Sequence, residues 1–79
     1  MKLLIIEDSV SLRRSLRIGL ENLGFTIDET GDGAEGLSMA MTGEYELIIL
    51  DIMLPSIDGI TLLQTIRAKQ LDVRVLILS

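Results

Sequence analysis

The 79-residue sequence predicts one α/β domain with the element order βαβαβαβ. Short, continuously apolar runs, typical of parallel strands covered on both faces, alternate with segments in which apolar residues recur at helical spacing. No repeat, low-complexity stretch or linker rich in Gly, Ser or Pro interrupts the alternation. Because strands joined by helices form right-handed crossovers, the pattern indicates a parallel sheet with helices on both faces.

The four predicted strands differ in the strength of their signal. Residues 3–6, 47–50 and 73–78 are apolar runs that fit central strands. Residues 25–29 give a weaker signal and precede a Gly-Asp-Gly turn at residues 31–33. Sites in such sheets lie at the carboxyl ends of the strands, where the strand order reverses.

The first predicted helix has leucines on one face and arginines away from it. Gly24 stands where a helix C-terminus favours glycine. The predicted inward residues are Leu12, Leu16, Leu20 and Leu23, and the arginines are Arg13, Arg14 and Arg17.

The second predicted helix follows the Gly-Asp-Gly turn and ends at Gly43. The third begins near Asp58, after a loop that contains Pro55, the only proline. Their predicted inward residues are Leu37, Ala40 and Met41 in the second helix, and Leu62, Leu63 and Ile66 in the third.

The composition excludes several classes of site. There is no cysteine or histidine, so any metal must be bound by oxygen atoms, which favours Mg²⁺, Ca²⁺ or Mn²⁺. Seven basic against twelve acidic residues argue against nucleic-acid binding by this chain. The apolar run at residues 3–6 is too short for a signal peptide or a membrane span. We therefore expect a cytoplasmic protein that does not enter a membrane.

Three acidic residues follow two of the predicted strands. Glu7 and Asp8 come after the first strand and Asp51 after the third, so they converge if these strands are neighbours. Two carboxylates about 5 Å apart repel by roughly 1 kcal/mol in water and roughly 3 kcal/mol at an effective dielectric of 20. A hard divalent cation such as Mg²⁺ would relieve this repulsion, and an aspartate beside it can attack phosphorus. Taken singly, Asp8 would be interpreted as a helix N-cap and Glu7 as a solvated strand end.

The run IILDIMLPSIDG at residues 48–59, preceded by LIIED at residues 4–8, resembles the receiver domain of response regulators. The turn at residues 32–33 and the hydroxyl of Ser79 fit the same family. The resemblance covers the whole chain. It implies a flavodoxin-like fold with the strand order 2-1-3-4-5, of which this chain would contain 2-1-3-4.

The resemblance also implies a role for each site residue. Asp51 would accept phosphate from a sensor histidine kinase. Asp8 would bind Mg²⁺ directly, Glu7 mainly through water, and Met53 through its backbone carbonyl. Ser79 would be the switch hydroxyl that turns towards the phosphoryl group. The chain would then be a signalling module rather than an enzyme, with Mg²⁺-dependent self-phosphorylation and autodephosphorylation as its only chemistry.

The family continues through a fourth helix, a fifth strand that carries a lysine, and a fifth helix. Residues 1–79 therefore predict a partial receiver domain, and Lys69 lies too late in the third helix to replace that lysine. We expect phosphotransfer to be impaired. The sequence resembles receivers joined to winged-helix domains, so we expect the full-length protein to bind DNA. Residues 73–78 would form an apolar sheet edge, which predicts a homodimer or oligomer.

Three other interpretations compete with a phosphate-accepting receiver. A phosphatase of the haloacid-dehalogenase type requires a second aspartate two residues after the first, where Met53 stands. A nucleotide or flavin module requires a phosphate-binding loop after the first strand, where Glu7 and Asp8 would repel phosphate. A self-associating structural half-domain would keep the motif without using it, and this is the main alternative.

Overall fold

The computed structural model describes residues 1–54, 56–69 and 72–78. All strand pairs in the sheet are parallel, and the strand order is β2-β1-β3-β4. Both the predicted element order and the predicted sheet order are confirmed. The elements are β1 (Lys2–Ile6), α1 (Val10–Asn22), β2 (Thr26–Thr30), α2 (Gly33–Ala40), β3 (Leu47–Asp51), α3 (Gly59–Ala68) and β4 (Arg74–Leu78).

Alternate side chains of each strand point to opposite faces of the sheet, and each face has its own apolar cluster. On one face α1 contributes Leu16 and Leu20. The buried strand residues of that face are Leu3, Ile5, Ile27 and Ile49. On the other face α3 contributes Leu62 and Ile66, both fully buried. The buried strand residues there are Leu4, Ile6, Ile48 and Leu50.

The inward faces of α1 and α2 are shorter than the sequence predicts. Leu16 and Leu20 pack on the sheet, but Leu12 is 42% exposed and Leu23 is 74% exposed. Leu12 lies in the first turn of α1 and Leu23 is its C-cap, so both stand at the ends of the helix, away from the residues that pack on the sheet. Met41, also predicted to point inward, is instead the exposed C-cap of α2.

Strand β4 is the least covered strand of the sheet. Val75 and Ile77 are half-buried against the α3 face, whereas Leu76, on the α1 face, is 52% exposed. Among the described residues β4 pairs only with β3, so it is an edge strand there. Within the same residues, no helix is long and apolar enough to cross a membrane.

Candidate metal centre

The sheet brings together the three carboxylates that the sequence singles out. Strands β1 and β3 are neighbours with Ile6 opposite Leu50, so Glu7 and Asp51 lie side by side at the carboxyl edge. One oxygen from each of Glu7, Asp8 and Asp51 lies within 4.8 Å of the others. Oxygen atoms this close together form a pocket that suits a hard cation.

Asp8 does not cap α1, contrary to the simplest interpretation of an acidic residue before a helix. The N-cap is Ser9, whose side-chain oxygen accepts a hydrogen bond from the backbone N–H of Leu12 at 3.3 Å. Because the serine performs the capping, the exposed carboxylate of Asp8 remains available at the sheet edge.

Glu7 is the buried member of the cluster, with 4% of its surface exposed. Its Oε2 atom is buried without a hydrogen-bond partner among the described residues. Burial, followed by the shared hydrogen bond and the repulsion with Asp51, raises the pKa of Glu7 to about 7. A carboxylate in this setting is stabilised by a nearby cation.

Asp51 is fixed by the loop that follows it. Its Oδ1 accepts a hydrogen bond from the backbone N–H of Met53 at 3.2 Å. The N-terminus of α3 packs directly behind it, where the N–H of Gly59 donates to the carbonyl of Ile52 at 2.6 Å. A Cβ atom at residue 59 would lie 2.5 Å from the carbonyl oxygen of Asp51, so only glycine permits this approach.

A cleft of about 630 Å³ adjoins the acidic cluster. Its lining residues are Asp8, Ile52, Met53, Leu54 and Asp58. Met53 is 79% exposed, and its contact with the cluster is made by its backbone N–H, which donates to Asp51. Ser79 and Pro55, which the sequence also singled out, lie outside the described residues.

A family model for the response regulator receiver domain matches residues 3–79. The chain belongs to this family. Among curated proteins, this receiver is 49% identical over 74 residues to the transcriptional regulatory protein HprR of Escherichia coli. That match covers 92% of the receiver and 33% of HprR, so the chain spans about a third of the relative's length.

Solved receiver structures agree with the fold. The receiver domain of the Francisella response regulator 1452 matches with a TM-score of 0.92 and 30% identity, covering 96% of this chain and 63% of that one. The response regulator TrrA of Thermotoga maritima, solved in complex with Mg²⁺-BeF, matches with a TM-score of 0.87 and 34% identity. That match covers 94% of this chain and 64% of TrrA. The structures therefore confirm the flavodoxin-like architecture.

The donor set of this receiver fits Mg²⁺. Three carboxylates supply the hard oxygen ligands, and one buried oxygen has no protein partner. Among the described residues, none of the three forms a salt bridge with a lysine or an arginine. Receiver domains bind Mg²⁺ at this acidic pocket, so the geometry agrees with the family.

Sequence reasoning missed a second group of residues behind the pocket. Arg13, predicted to lie off the leucine face of α1, is only 17% exposed in its side chain and pairs with Glu29 of β2 at 3.2 Å. Arg17 also reaches Glu29, at 3.3 Å. Arginines four residues apart on a helix, and a charged residue inside the next strand, were the available signal.

Proposed function

We propose that this receiver takes a phosphoryl group from a sensor histidine kinase onto Asp51, with Mg²⁺ bound by Glu7, Asp8, Asp51 and the carbonyl of Met53. The family match shows that the chain is a receiver domain of two-component response regulators and a signalling module. The convergence of three carboxylate oxygens within 4.8 Å at one sheet edge supports the proposed phosphotransfer and Mg²⁺ binding.

Each residue has a distinct part in the proposed reaction. The bound Mg²⁺ would neutralise charge on the carboxylates and on the incoming phosphoryl oxygens. Asp51 has one oxygen held by the N–H of Met53, which leaves the other to attack phosphorus. An O–P bond forms, the P–N bond of the phosphohistidine breaks, and the histidine nitrogen leaves with the bonding electron pair. The adjoining cleft of about 630 Å³ provides access for the donor.

We expect the proposed transfer to be slow for residues 1–79 alone, because neither lysine of the chain can replace the lysine that the receiver family carries on its fifth strand. Lys2 begins β1 at the opposite edge of the sheet, and Lys69 caps the C-terminus of α3, so neither lysine reaches the acidic cluster. The proposed phosphoaspartate would carry about −1.5 to −2 charges at the sheet edge in place of the single negative charge of Asp51, and the hydroxyl of Ser79 would respond to it.

The proposed output is transcriptional. The matched relative HprR is named a transcriptional regulatory protein, and this chain spans 33% of it. We therefore propose that the full-length protein binds DNA and that residues 1–79 do not. A net charge of −5 on the 79 residues would repel a phosphate backbone.

Mass spectrometry after incubation with acetyl phosphate and Mg²⁺ tests the assignment of Asp51. The wild-type chain should gain one phosphoryl group, and Asp51→Asn should gain none. Asp28→Asn changes an aspartate in the middle of β2 that contacts Lys2 and Tyr45 and is not part of the acidic cluster, so this matched control should be labelled like wild type. Labelling that survives in Asp51→Asn, or that does not require Mg²⁺, would contradict the proposal.

Strand β4 supports a second candidate function, association of this domain with a second copy of itself. Leu76 is 52% exposed next to half-buried Leu78, and the outer edge of β4 has no partner strand among the described residues. Such an edge, with Arg74 as its only charge, favours pairing with an identical strand. Sedimentation at micromolar concentration should show a dimer, and Leu76→Lys should convert it to a monomer. A wild-type chain that sediments as a monomer would contradict this candidate.

A further inference from the structure

The guanidinium group of Arg13 connects three elements directly behind the acidic site. Its Nη1 donates to the backbone carbonyl of Glu7 at 2.8 Å, and its Nε donates to Oε1 of Glu29 at 3.2 Å. Its side chain is 17% exposed and that of Glu29 is 23% exposed. One largely buried side chain of α1 therefore holds both the end of β1 and the adjacent strand β2.

The bond to the Glu7 carbonyl replaces a missing bond of the sheet. The N–H of Glu7 donates to the carbonyl of Thr30 at 3.1 Å, which extends the ladder between β1 and β2 by one step. A parallel ladder would next bring the N–H of Asp32 to the carbonyl of Glu7. That N–H instead donates to the side-chain oxygen of Thr30 at 3.2 Å. Arg13 supplies the donor that the backbone does not.

Gly31 leaves the space that the guanidinium occupies. The register that places Ile6 opposite Thr30 places Glu7 opposite Gly31. A Cβ atom at residue 31 would lie 2.6 Å from Nη1 of Arg13. The φ angle of Gly31 is outside the left-handed region, so the arginine's need for space, not the backbone conformation, favours glycine here.

We propose that Arg13 is a positioning residue of the metal site. By holding the carbonyl of Glu7, it fixes the turn that carries the carboxylates of Glu7 and Asp8. Mg²⁺ requires nearly ideal octahedral geometry, and loss of groups that orient metal ligands typically lowers affinity by about 10- to 100-fold. The inference rests on the proposed function, because it requires that the carboxylates bind Mg²⁺.

A purely electrostatic effect of Arg13 would change the affinity for Mg²⁺ in the opposite direction. Arg13 is a cation close to three acidic residues, so removing its charge would by Coulomb's law alone strengthen Mg²⁺ binding. Loss of positioning weakens binding. The direction of the change therefore separates the two explanations.

Mg²⁺ titration of the whole chain, followed by the amide signals around Asp8 and Asp51, tests the inference. Arg13→Met should raise the Kd for Mg²⁺ about tenfold or more. Gly31→Ala keeps every charge but displaces the guanidinium, so it should also raise the Kd. The matched controls are Arg14→Met, an exposed arginine of the same helix, and Gly19→Ala, whose added Cβ would meet no atom within 4 Å. Neither control should weaken Mg²⁺ binding.

Urea unfolding without Mg²⁺ separates positioning from a merely structural role. A structural role would lower the free energy of unfolding of Arg13→Met and leave the Kd of the folded protein unchanged, which would overturn the inference. If Arg13→Met does not fold, Gly31→Ala decides the question, and wild-type affinity in that variant overturns the inference. If the wild-type chain binds no Mg²⁺, the proposed function fails as well. Wild-type binding with unaffected variants refutes the role of Arg13 alone.

Discussion

Acidic residues gather at both ends of the sheet, but the two ends balance their charge differently. At the amino end, Nζ of Lys2 lies 3.0 Å from Glu44 and 3.4 Å from Asp28. The hydroxyl of Tyr45 donates to Asp28 at 2.6 Å. This hydrogen bond, with a smaller contribution from Lys2, lowers the pKa of Asp28. The carboxylates at this end are thus satisfied by the chain's own groups.

At the carboxyl end, three carboxylates converge with no such partner among the described residues. Burial, with the added effect of Asp51, raises the pKa of Glu7 to about 7, the opposite direction from Asp28. The comparison teaches that a count of acids does not identify a site. An unbalanced and partly buried group of acids is a candidate site, because its repulsion is relieved either by a proton or by a bound cation.

The largest expected effect concerns the pH dependence of stability. Glu7 has a folded pKa of about 7 against an ordinary value of 4.5, so the folded state holds its proton more tightly than the unfolded state. Its contribution to stability is therefore lost as pH rises from about 4.5 to about 7, by roughly 3 kcal/mol. Mg²⁺ should reverse this loss above pH 7, because the cation favours the ionised form.

Urea unfolding of the metal-free protein across this pH range checks the prediction. Glu7→Gln should lose the decline that wild type shows, and Glu44→Gln, at the balanced end, should keep it. Parallel pH profiles for wild type and Glu7→Gln would show that the buried carboxyl is not the source.

The next largest effect distinguishes the two ends by their metal binding. Asp8→Asn should weaken Mg²⁺ binding by at least about tenfold, or about 1.4 kcal/mol, because it removes one of the charged ligands that we propose. The same substitution should not lower the stability of the metal-free protein, since Asp8 is exposed and its charge contributes to raising the pKa of Glu7.

Asp28→Asn should give the reverse result, with lower stability and an unchanged Kd for Mg²⁺. The two variants can be compared by Mg²⁺ titration and by urea unfolding without metal. Equal effects of Asp8→Asn and Asp28→Asn on Mg²⁺ binding would remove the distinction between the two ends.

The order of elements predicted the α/β fold, and the strand order implied by the family resemblance predicted that the three acids meet. Once β1 and β3 are neighbours, residues that follow Ile6 and Leu50 must lie at one edge. The apolar runs also predicted the buried residues of β1 and β3, but β4 has an equally apolar run and Leu76 within it is 52% exposed. Element order together with the strand order that the family resemblance implies therefore predicts the backbone position of the site.

The contacts that the sequence did not predict are those between a side chain and a group on another element. The contact of Arg13 with the Glu7 carbonyl joins two elements and requires the space left by Gly31. Helical periodicity predicts only the face of the helix on which Arg13 lies, so it could not predict this contact. The hydrogen bond of Tyr45 to Asp28 likewise joins residues 17 positions apart. The prediction that Leu23 faces inward was wrong for a related reason. Helical spacing does not show where the sheet beneath the helix ends, and Leu23 is exposed.

The smallest expected effect concerns the hydroxyl of Tyr45 at the amino end. Tyr45→Phe removes the hydrogen bond to Asp28 and keeps the buried ring, so the free energy of unfolding should fall by about 1 kcal/mol. The loss is modest because Lys2 remains beside Asp28, whose side chain is 38% exposed and accessible to water. The Kd for Mg²⁺ should not change, because this residue lies at the opposite edge from the acidic cluster.

A spectroscopic signature can locate the same hydrogen bond. Burial, followed by the bond to Asp28, raises the pKa of Tyr45 to about 12, and Tyr45 is the only tyrosine in the chain. Ultraviolet titration of the phenolate therefore reports on this one residue. Asp28→Asn should lower the pKa of Tyr45 towards its ordinary value, whereas Asp8→Asn should leave it unchanged. A shift in Asp8→Asn would mean that the two ends of the sheet are electrostatically coupled, and the comparison between them would fail.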